Sequence, residues 1–437
     1  MAGQPERIVI VGGGQAGGRL AQALVAAARP FSITLICREP HPPYQRPPLS
    51  KGVLLGTASL DDCLIWPPDD RAWKAVDLRL GVSATSIDRE ARRVHLEDGK
   101  SVAYDRLVLA TGSRVRRLSV PGSDRGNIHC LRSVDQAQEI AKHFARGKRL
   151  MIVGGGFIGL EIAASARLRH LDITVVEASD RLLARVVPNR IASMLASRHR
   201  AEGVRLHMGA MVEEFETDVR GVAKAARLSS GEMLPCDLAV VGVGVAANVE
   251  LAEAAGLATE VGVRVDASLR TSDPAIFACG DVATFWHPVF DRFVRVEAFQ
   301  NAEDHARVIA GVLEGGEAVC DTVPFFWSDQ YDLSLQIVGL PHLGSSTVTR
   351  QDNDGAVILF HLRADGRIVG ATGLGTVGAI GRDIRLAQAL IAARSYPDPA
   401  VLSDPGARLK TLLDRGTPDA PAFAVTHRSP RPAAPGL

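Results

Sequence analysis

The chain has 437 residues, 46 % apolar and 23 % charged, with a formal net charge of +1. That is the composition of a folded protein too long for one core, and roughly 100–200 residues per domain predicts two to four domains. The near-neutral charge gives no reason to expect a nucleic-acid or membrane-surface partner, and no apolar run approaches the ~18 residues of a membrane helix.

The polar start from Met1 to Arg7 leads into an apolar run, residues 8–11, that breaks at Gly12. Such a short run is a strand rather than a signal peptide, so a cytoplasmic protein is expected. The glycines Gly12, Gly14 and Gly17 follow in the pattern G-x-G-x-x-G, then an alanine-rich helical stretch and a second strand, residues 33–36. This is the opening βαβ of a dinucleotide-binding fold: the first glycine makes the tight turn, the second admits the pyrophosphate and the third lets helix and strand pack closely. Residues 104–112 read as another strand, ending in the small residues Ala110, Thr111 and Gly112.

The pattern then repeats. Residues 149–156 restate residues 7–14, with Gly154, Gly156 and Gly159 as the second glycine set and residues 173–176 as its second strand. Residues 236–244 restate the strand ending in small residues and close on Gly244. A single glycine motif is weak evidence, but two copies in strand-turn-helix context predict two dinucleotide sites. Glu177 stands about twenty residues past the last glycine, where an acid accepts hydrogen bonds from a ribose 2′-hydroxyl and repels a 2′-phosphate, so NADH is expected over NADPH. Arg181 and Arg185 nearby can soften that preference or be ordinary surface charges.

Residues 271–283 form a short strand ending in Gly280-Asp281 and are expected to rejoin the first domain, so that the second is inserted into it. Asp281 can accept hydrogen bonds from cofactor hydroxyls or cap a helix. Glu297 opens a helical stretch, 298–312, and alternation at 333–338, 357–362 and 368–370 predicts a small antiparallel sheet, with a helix at 382–393. Beyond about Arg415 the chain is rich in Pro and Ala, and a flexible tail is expected over 411–437. The cysteines Cys37, Cys63, Cys130, Cys236, Cys279 and Cys320 are scattered, with no close pair to form a redox dithiol, and no metal-ligand spacing is present.

The run from Pro43 to Lys51, the Ala110-Thr111-Gly112 strand end, Gly154 to Glu161, Thr271 to Asp281 and Phe326 to Gln330, taken in order, resemble the FAD-dependent ferredoxin reductases of oxygenase systems. The resemblance runs from about Arg7 to Leu409. It implies an α/β protein with two Rossmann-like, glutathione-reductase-like nucleotide domains plus a small α+β C-terminal domain. FAD is then expected over residues 1–114 and 248–329, NADH over 115–247, and the C-terminal domain over 330–410. It places Gly12, Gly14, Ala16, Gly17, Arg46, Lys51, Ala84, Ala110, Thr111, Gly112, Arg132, Asp281, Phe299 and Trp327 at FAD. Gly154, Gly156, Ile158, Gly159, Glu161, Glu177, Arg185 and Gly244 are expected at NADH. At the adenosine end of the first site the usual acid is displaced, and either Arg38 or Glu39 serves there.

The resemblance also makes Lys51 and Glu161 a charge pair where the two cofactors meet, Glu297 and its helix a stabiliser of flavin charge, and Trp327 a stacking residue; the alternatives are an interdomain salt bridge for the pair and a core role for the tryptophan. Hydride transfer between stacked cofactors needs alignment rather than an acid or base. The partner it implies is a [2Fe–2S] ferredoxin that feeds a monooxygenase or ring-hydroxylating dioxygenase; such ferredoxins are generally acidic, so Arg71, Arg79, Arg292 and Arg382 are candidates for docking, with ordinary surface charge as the alternative role for each. Two alternatives share the two-nucleotide plan: an NADH oxidase or disulfide reductase, which needs a reactive cysteine where this chain has Pro47 to Lys51, and a flavin-bound signalling protein of the apoptosis-inducing type, which needs a basic surface.

Overall fold

The computed structural model describes residues 4–414. Two five-stranded parallel sheets carry the two glycine motifs. In the first, Glu6–Val11 is central, flanked by Phe31–Cys37 and then Val76–Leu80 on one side, and by Arg106–Leu109 and then Ile276–Ala278 on the other. In the second, Arg149–Val153 is central, flanked by Asp172–Glu177 and Arg205–Met208, and by Leu238–Val241 and Ile128–Cys130. Parallel strands covered on both faces must be apolar throughout, which is why Ile8 to Val11 and Leu150 to Val153 are buried without alternation.

The repetition extends past the motif. The Arg7 guanidinium pairs with Asp105 at 2.8 Å, tying the start of the first strand to the turn before Arg106–Leu109, and Arg149 pairs with Asp237 at 2.6 Å in the equivalent place. Beside each parallel sheet the chain also forms a separate three-stranded antiparallel meander that sequence reading did not anticipate, Ala84–Asp88 to Ser101–Ala103 in the first unit and Val212–Thr217 to Met233–Pro235 in the second. Ser113–Val115 and Val245–Ala247, the two crossings between nucleotide domains, pair antiparallel as one ribbon.

The third sheet is antiparallel, in the order Phe325–Gln330, Leu333–Gly339, Ile368–Thr376, Val357–Leu362, Ser346–Gln351, with helix Gly381–Ala392 packed on it. This corrects two expectations. Phe325–Gln330 hydrogen-bonds to Leu333–Gly339, so it belongs to the C-terminal sheet and not to the FAD-side segment ending at 329. The strand expected to stop at Gly370 runs on to Thr376, and its glycines leave room for what packs on it: a Cβ on Gly373 would come within 3.1 Å of Ile384 in the helix, and one on Gly375 within 3.2 Å of Ile380 at the helix start and 2.8 Å of Ala356. Thr411–Asp414, expected to open the flexible tail, is a short helix, and the rest of that expected tail, 415–437, lies outside the described residues. Among the described residues no helix is long and apolar enough to cross a membrane.

Candidate functional site

The tight turns at Gly12 and Gly154 are dictated by backbone. Gly12 has φ +118° and a Cβ there would meet the Ala110 carbonyl at 2.2 Å; Gly154 has φ +109° and the same collision with Gly242, at 2.4 Å. Both third glycines, Gly17 and Gly159, press on the carbonyl of the first, at 2.0 and 2.3 Å from an added Cβ, so they pack helix on strand. Gly14 is different: nothing lies within 4 Å of where its Cβ would be. It opens on a cavity of about 1530 Å³.

Three helices, Gln15–Val25, Phe157–Leu168 and Phe299–Leu313, begin with no side-chain cap and no acid in the first turn. Their N–H groups and positive dipole ends are free for an anion or a developing negative charge. The third starts at Phe299, so Glu297 lies just ahead of the helix rather than in it, held by Arg295 at 2.5 Å.

Gly12, Gly14, Ala16, Arg38, Glu39 and Arg46 line the larger cavity along one wall, and Ala84, Ala110, Thr111, Gly112, Arg132, Asp281 and Phe299 line the rest. Glu39 receives a hydrogen bond from Arg46 at 2.7 Å and another from the Tyr44 hydroxyl, whereas Arg38 is exposed at the mouth. Burial raises the Glu39 carboxyl, but the Arg46 charge and these hydrogen bonds outweigh it and hold it below the usual carboxylate range. Asp281 accepts the Ser113 hydroxyl at 2.8 Å and faces Arg132 at 3.5 Å. Arg132 is therefore a poorly neutralised guanidinium, its basicity lowered by burial and by neighbouring Arg46. The turn bearing Asp281 is fixed by His305, whose Nδ1 accepts the Gly280 N–H at 3.1 Å; burial lowers this imidazole to about 3, so it stays neutral.

A second cavity of about 1010 Å³ is lined by Gly154, Gly156, Ile158, Gly159, Glu177, Arg185 and Gly244, with Glu297 at its inner end. Glu177 accepts the Gly155 N–H at 2.6 Å and the Ser179 N–H at 2.8 Å, which leaves its remaining lone pairs toward the cavity. Arg181 is bound to the carbonyls of Ala184 and Val187, so only Arg185 remains beside the acid. Arg46, Val115 and Arg132 line both cavities, which therefore adjoin.

The Lys51–Glu161 pair, Nζ to Oε1 at 3.1 Å, takes one residue from each nucleotide unit, and Ser50, next to Lys51, lines the second cavity. Glu161 is 7 % exposed, and it also accepts Ser50 Oγ at 2.5 Å and Ser328 Oγ at 2.7 Å. A buried carboxylate with three donors is held in place more than it is made stabilising. Neither residue lines either cavity, nor does Trp327, which packs edge-on against Phe299 at 5.6 Å and stacks on Phe325 at 5.9 Å. The four arginines expected to dock a partner are not gathered in one element. Arg71, Arg292 and Arg382 are exposed, whereas Arg79 is engaged by Asp77 at 2.9 Å.

Residues 6–306 match the family model described as pyridine nucleotide-disulphide oxidoreductase, and residues 325–413 match a reductase C-terminal model. The chain belongs to the pyridine nucleotide-disulphide oxidoreductase family. Within it, the chain is 42 % identical over 410 residues to the ferredoxin–NAD(+) reductase component of the anthranilate 1,2-dioxygenase system of Burkholderia cepacia, covering 93 % of this chain and 98 % of that one. It is 36 % identical to rhodocoxin reductase of Rhodococcus erythropolis, over 93 % and 94 % of the two chains. The solved covalent complex of putidaredoxin reductase with putidaredoxin matches with a TM-score of 0.89 at 34 % identity, covering 94 % of this chain and 99 % of that one.

For a member of this family the thiols are informative. All six cysteines are free. Cys37 and Cys279 line the larger cavity, but burial, aided at Cys37 by the Glu39 charge, pushes both up to about 12, so neither is a thiolate at neutral pH. Sequence reading missed Ser50, Tyr44, Ser113 and Ser328, the hydroxyls that donate to the candidate carboxylates Glu161, Glu39 and Asp281. Ser328 shares a strand face with Phe326 and Gln330, opposite Trp327, but aromatic residues on both faces of the strand leave no alternation to mark it.

Proposed function

We propose that this chain is an NADH-dependent ferredoxin reductase: FAD in the larger cavity, NADH in the smaller, and a [2Fe–2S] ferredoxin as the acceptor, which in turn feeds a cytochrome P450 monooxygenase or a ring-hydroxylating dioxygenase. The observation that carries the reading is the Lys51–Glu161 pair, a contact made across the two nucleotide units next to Ser50, which lines the second cavity. The relatives support the choice of partner, being named as ferredoxin reductases of oxygenase systems or solved with a ferredoxin attached. The matching domains are 1–114 with 248–324 for FAD, 115–247 for NADH and a C-terminal unit from 325, and the enzyme is read as cytoplasmic.

When bound, the flavin accepts a hydride from the nicotinamide and releases the electrons one at a time. This chain's residues bind and align. The N-terminus of Gln15–Val25, with Gly14 open beside it, and the under-neutralised Arg132 suit the FAD pyrophosphate; Asp281 suits ribityl hydroxyls; Glu177 suits a ribose diol. Lys51, held by Glu161, and the free N-terminus of Phe299–Leu313 would supply positive potential toward a bound flavin. Two protonated, buried cysteines speak against a disulfide reductase.

The test is NADH-driven reduction of cytochrome c with and without ferredoxins from the same source. A ferredoxin should accelerate turnover at least tenfold, on the order expected when an obligatory carrier is supplied. Turnover indifferent to every such ferredoxin, yet fast with oxygen or a disulfide, refutes the reading in favour of an oxidase or disulfide reductase.

A further inference from the structure

Glu161 lies at the inner end of a hydrogen-bonded chain that the cofactor sites do not account for. Ser328 Oγ donates to Glu161 Oε1 at 2.7 Å, and Gln330 Nε2 donates to Ser328 Oγ at 3.1 Å. Gln330 Oε1 accepts from His199 Nε2 at 2.8 Å, and the Tyr331 hydroxyl meets His199 Nδ1 at 3.1 Å. We propose that Ser328, Gln330 and His199 are positioning residues that act through this head-to-tail chain to hold the Glu161 carboxylate against Lys51.

Three observations support a device over incidental packing. First, every link has one polarity: the Tyr331 O–H donates to Nδ1, the Nε2–H to the amide oxygen, the amide N–H to the serine and the serine to the carboxylate. No member is left with clashing donors, which is the condition under which a buried polar network specifies geometry. Second, the members are deeply buried, with His199 at 0 %, Ser328 at 1 % and Gln330 at 2 % exposure, so the groups cannot turn to water instead. Burial lowers the His199 basicity, which keeps the ring neutral and able to donate on one side while accepting on the other. Third, Tyr331 sits at φ +58°, a conformation uncommon for an aromatic residue, with its ring under the Arg198 guanidinium at 5.0 Å. Arg198 is itself held by Glu202 at 2.7 Å and Asp332 at 2.6 Å, which closes the outer end.

The chain begins on the hairpin turn of the C-terminal sheet, passes through helix Asn189–Ala201 of the second nucleotide unit, returns to the C-terminal strand and ends on helix Phe157–Leu168, whose glutamate meets Lys51 of the first unit. It thereby links the seating of the C-terminal domain to the Lys51–Glu161 pair. The inference rests on the reading of Lys51 and Glu161 given above.

The test compares Ser328→Ala, Ser328→Thr, Gln330→Met and Glu161→Gln in the FAD-loaded enzyme, following flavin bleaching by NADH without ferredoxin. Independently, ¹⁵N-histidine NMR, assigned with His199→Phe, reports the His199 tautomer. The wild type should show the proton on Nε2, and Gln330→Met should shift that population. Ser328→Ala and Gln330→Met should each slow limiting flavin reduction about tenfold with the NADH dissociation constant within about twofold, and Ser328→Thr should restore most of the rate. Wild-type rates in Ser328→Ala and Gln330→Met beside a slow Glu161→Gln overturn the positioning chain and leave the pair standing. An unaffected Glu161→Gln overturns both and places the failure in the reading of the pair. Threonine no better than alanine, or a proton on Nδ1 in the wild type, also overturns the proposal.

Discussion

Replacing Glu177 by alanine should move the enzyme from NADH toward NADPH, and the geometry sets how far. The Glu177 carboxylate faces the second cavity with both oxygens pinned by the N–H groups of Gly155 and Ser179, at 2.6 and 2.8 Å, so it cannot swing away from a 2′-phosphate. Two unit charges about 4 Å apart repel by about 1 kcal/mol in water and about 4 kcal/mol near a protein surface. Glu177 is half-buried at the mouth of the cavity, so roughly 1–3 kcal/mol applies, or about 5- to 150-fold in kcat/KM. The variant should recover most of that factor with NADPH, because exposed Arg185 remains on the same wall to attract the phosphate. NADH should lose about tenfold or less, the worth of its ribose hydrogen bonds. The assay is kcat/KM for both nucleotides in wild type and Glu177→Ala at one low ionic strength, since salt screens the effect. Equal use of NADPH and NADH by the wild type, or an unchanged ratio in the variant, refutes the reasoning.

Two glycine substitutions separate cofactor fit from folding. Gly14→Ala should leave the apoprotein melting temperature unchanged and weaken FAD retention, because the added methyl meets only the cavity, whereas Gly12→Ala should destabilise the fold itself, its Cβ lying 2.2 Å from the Ala110 carbonyl. Thermal melts and flavin content after dialysis read both. Asp237→Asn should destabilise the second nucleotide unit by about 1 kcal/mol at neutral pH, a figure reduced for solvent screening because Arg149 is 38 % exposed. The Arg149 hydrogen bond, working against burial, holds Asp237 at about 2, below its unfolded value, so the stabilisation is complete above about pH 4 and is lost as pH falls through 2. Acid unfolding of wild type and variant should therefore converge near pH 2. Reduction of an acidic ferredoxin should slow as ionic strength rises past about 0.1 M, where the Debye length drops below about 10 Å; a flat salt profile excludes docking through basic residues such as Arg71, Arg292 and Arg382.

The two nucleotide folds were legible because their requirements are local. A turn that needs φ above +100° at Gly12 and Gly154, followed by a helix start that must stay open to phosphate, restricts neighbouring residues to a pattern that can be read without a structure. The acid at Glu177 was legible for the same reason, since it ends the strand paired with the motif strand. The family resemblance supplied what local pattern could not, above all the expectation that FAD belongs to the first nucleotide domain. The C-terminal unit was read less well: its first strand, Phe325–Gln330, has aromatic residues on both faces and shows no clean alternation, and the glycines of Ile368–Thr376 imitate a strand end.

By itself the sequence determined two dinucleotide-binding halves, an interrupted first half, and the residue types that can hold a cofactor, because strand periodicity and glycine turns act over a few residues. Only the tertiary structure decided which groups meet across domains. Four segments far apart in the chain, carrying Ser50 with Lys51, Glu161, His199, and Ser328 with Gln330, meet around the buried carboxylate of Glu161. Apart from the Lys51–Glu161 pair that the resemblance implied, nothing in the local pattern of one segment records the others. The contact is made by the packing of three units, and buried charge is tolerated there only because that packing brings every donor within reach.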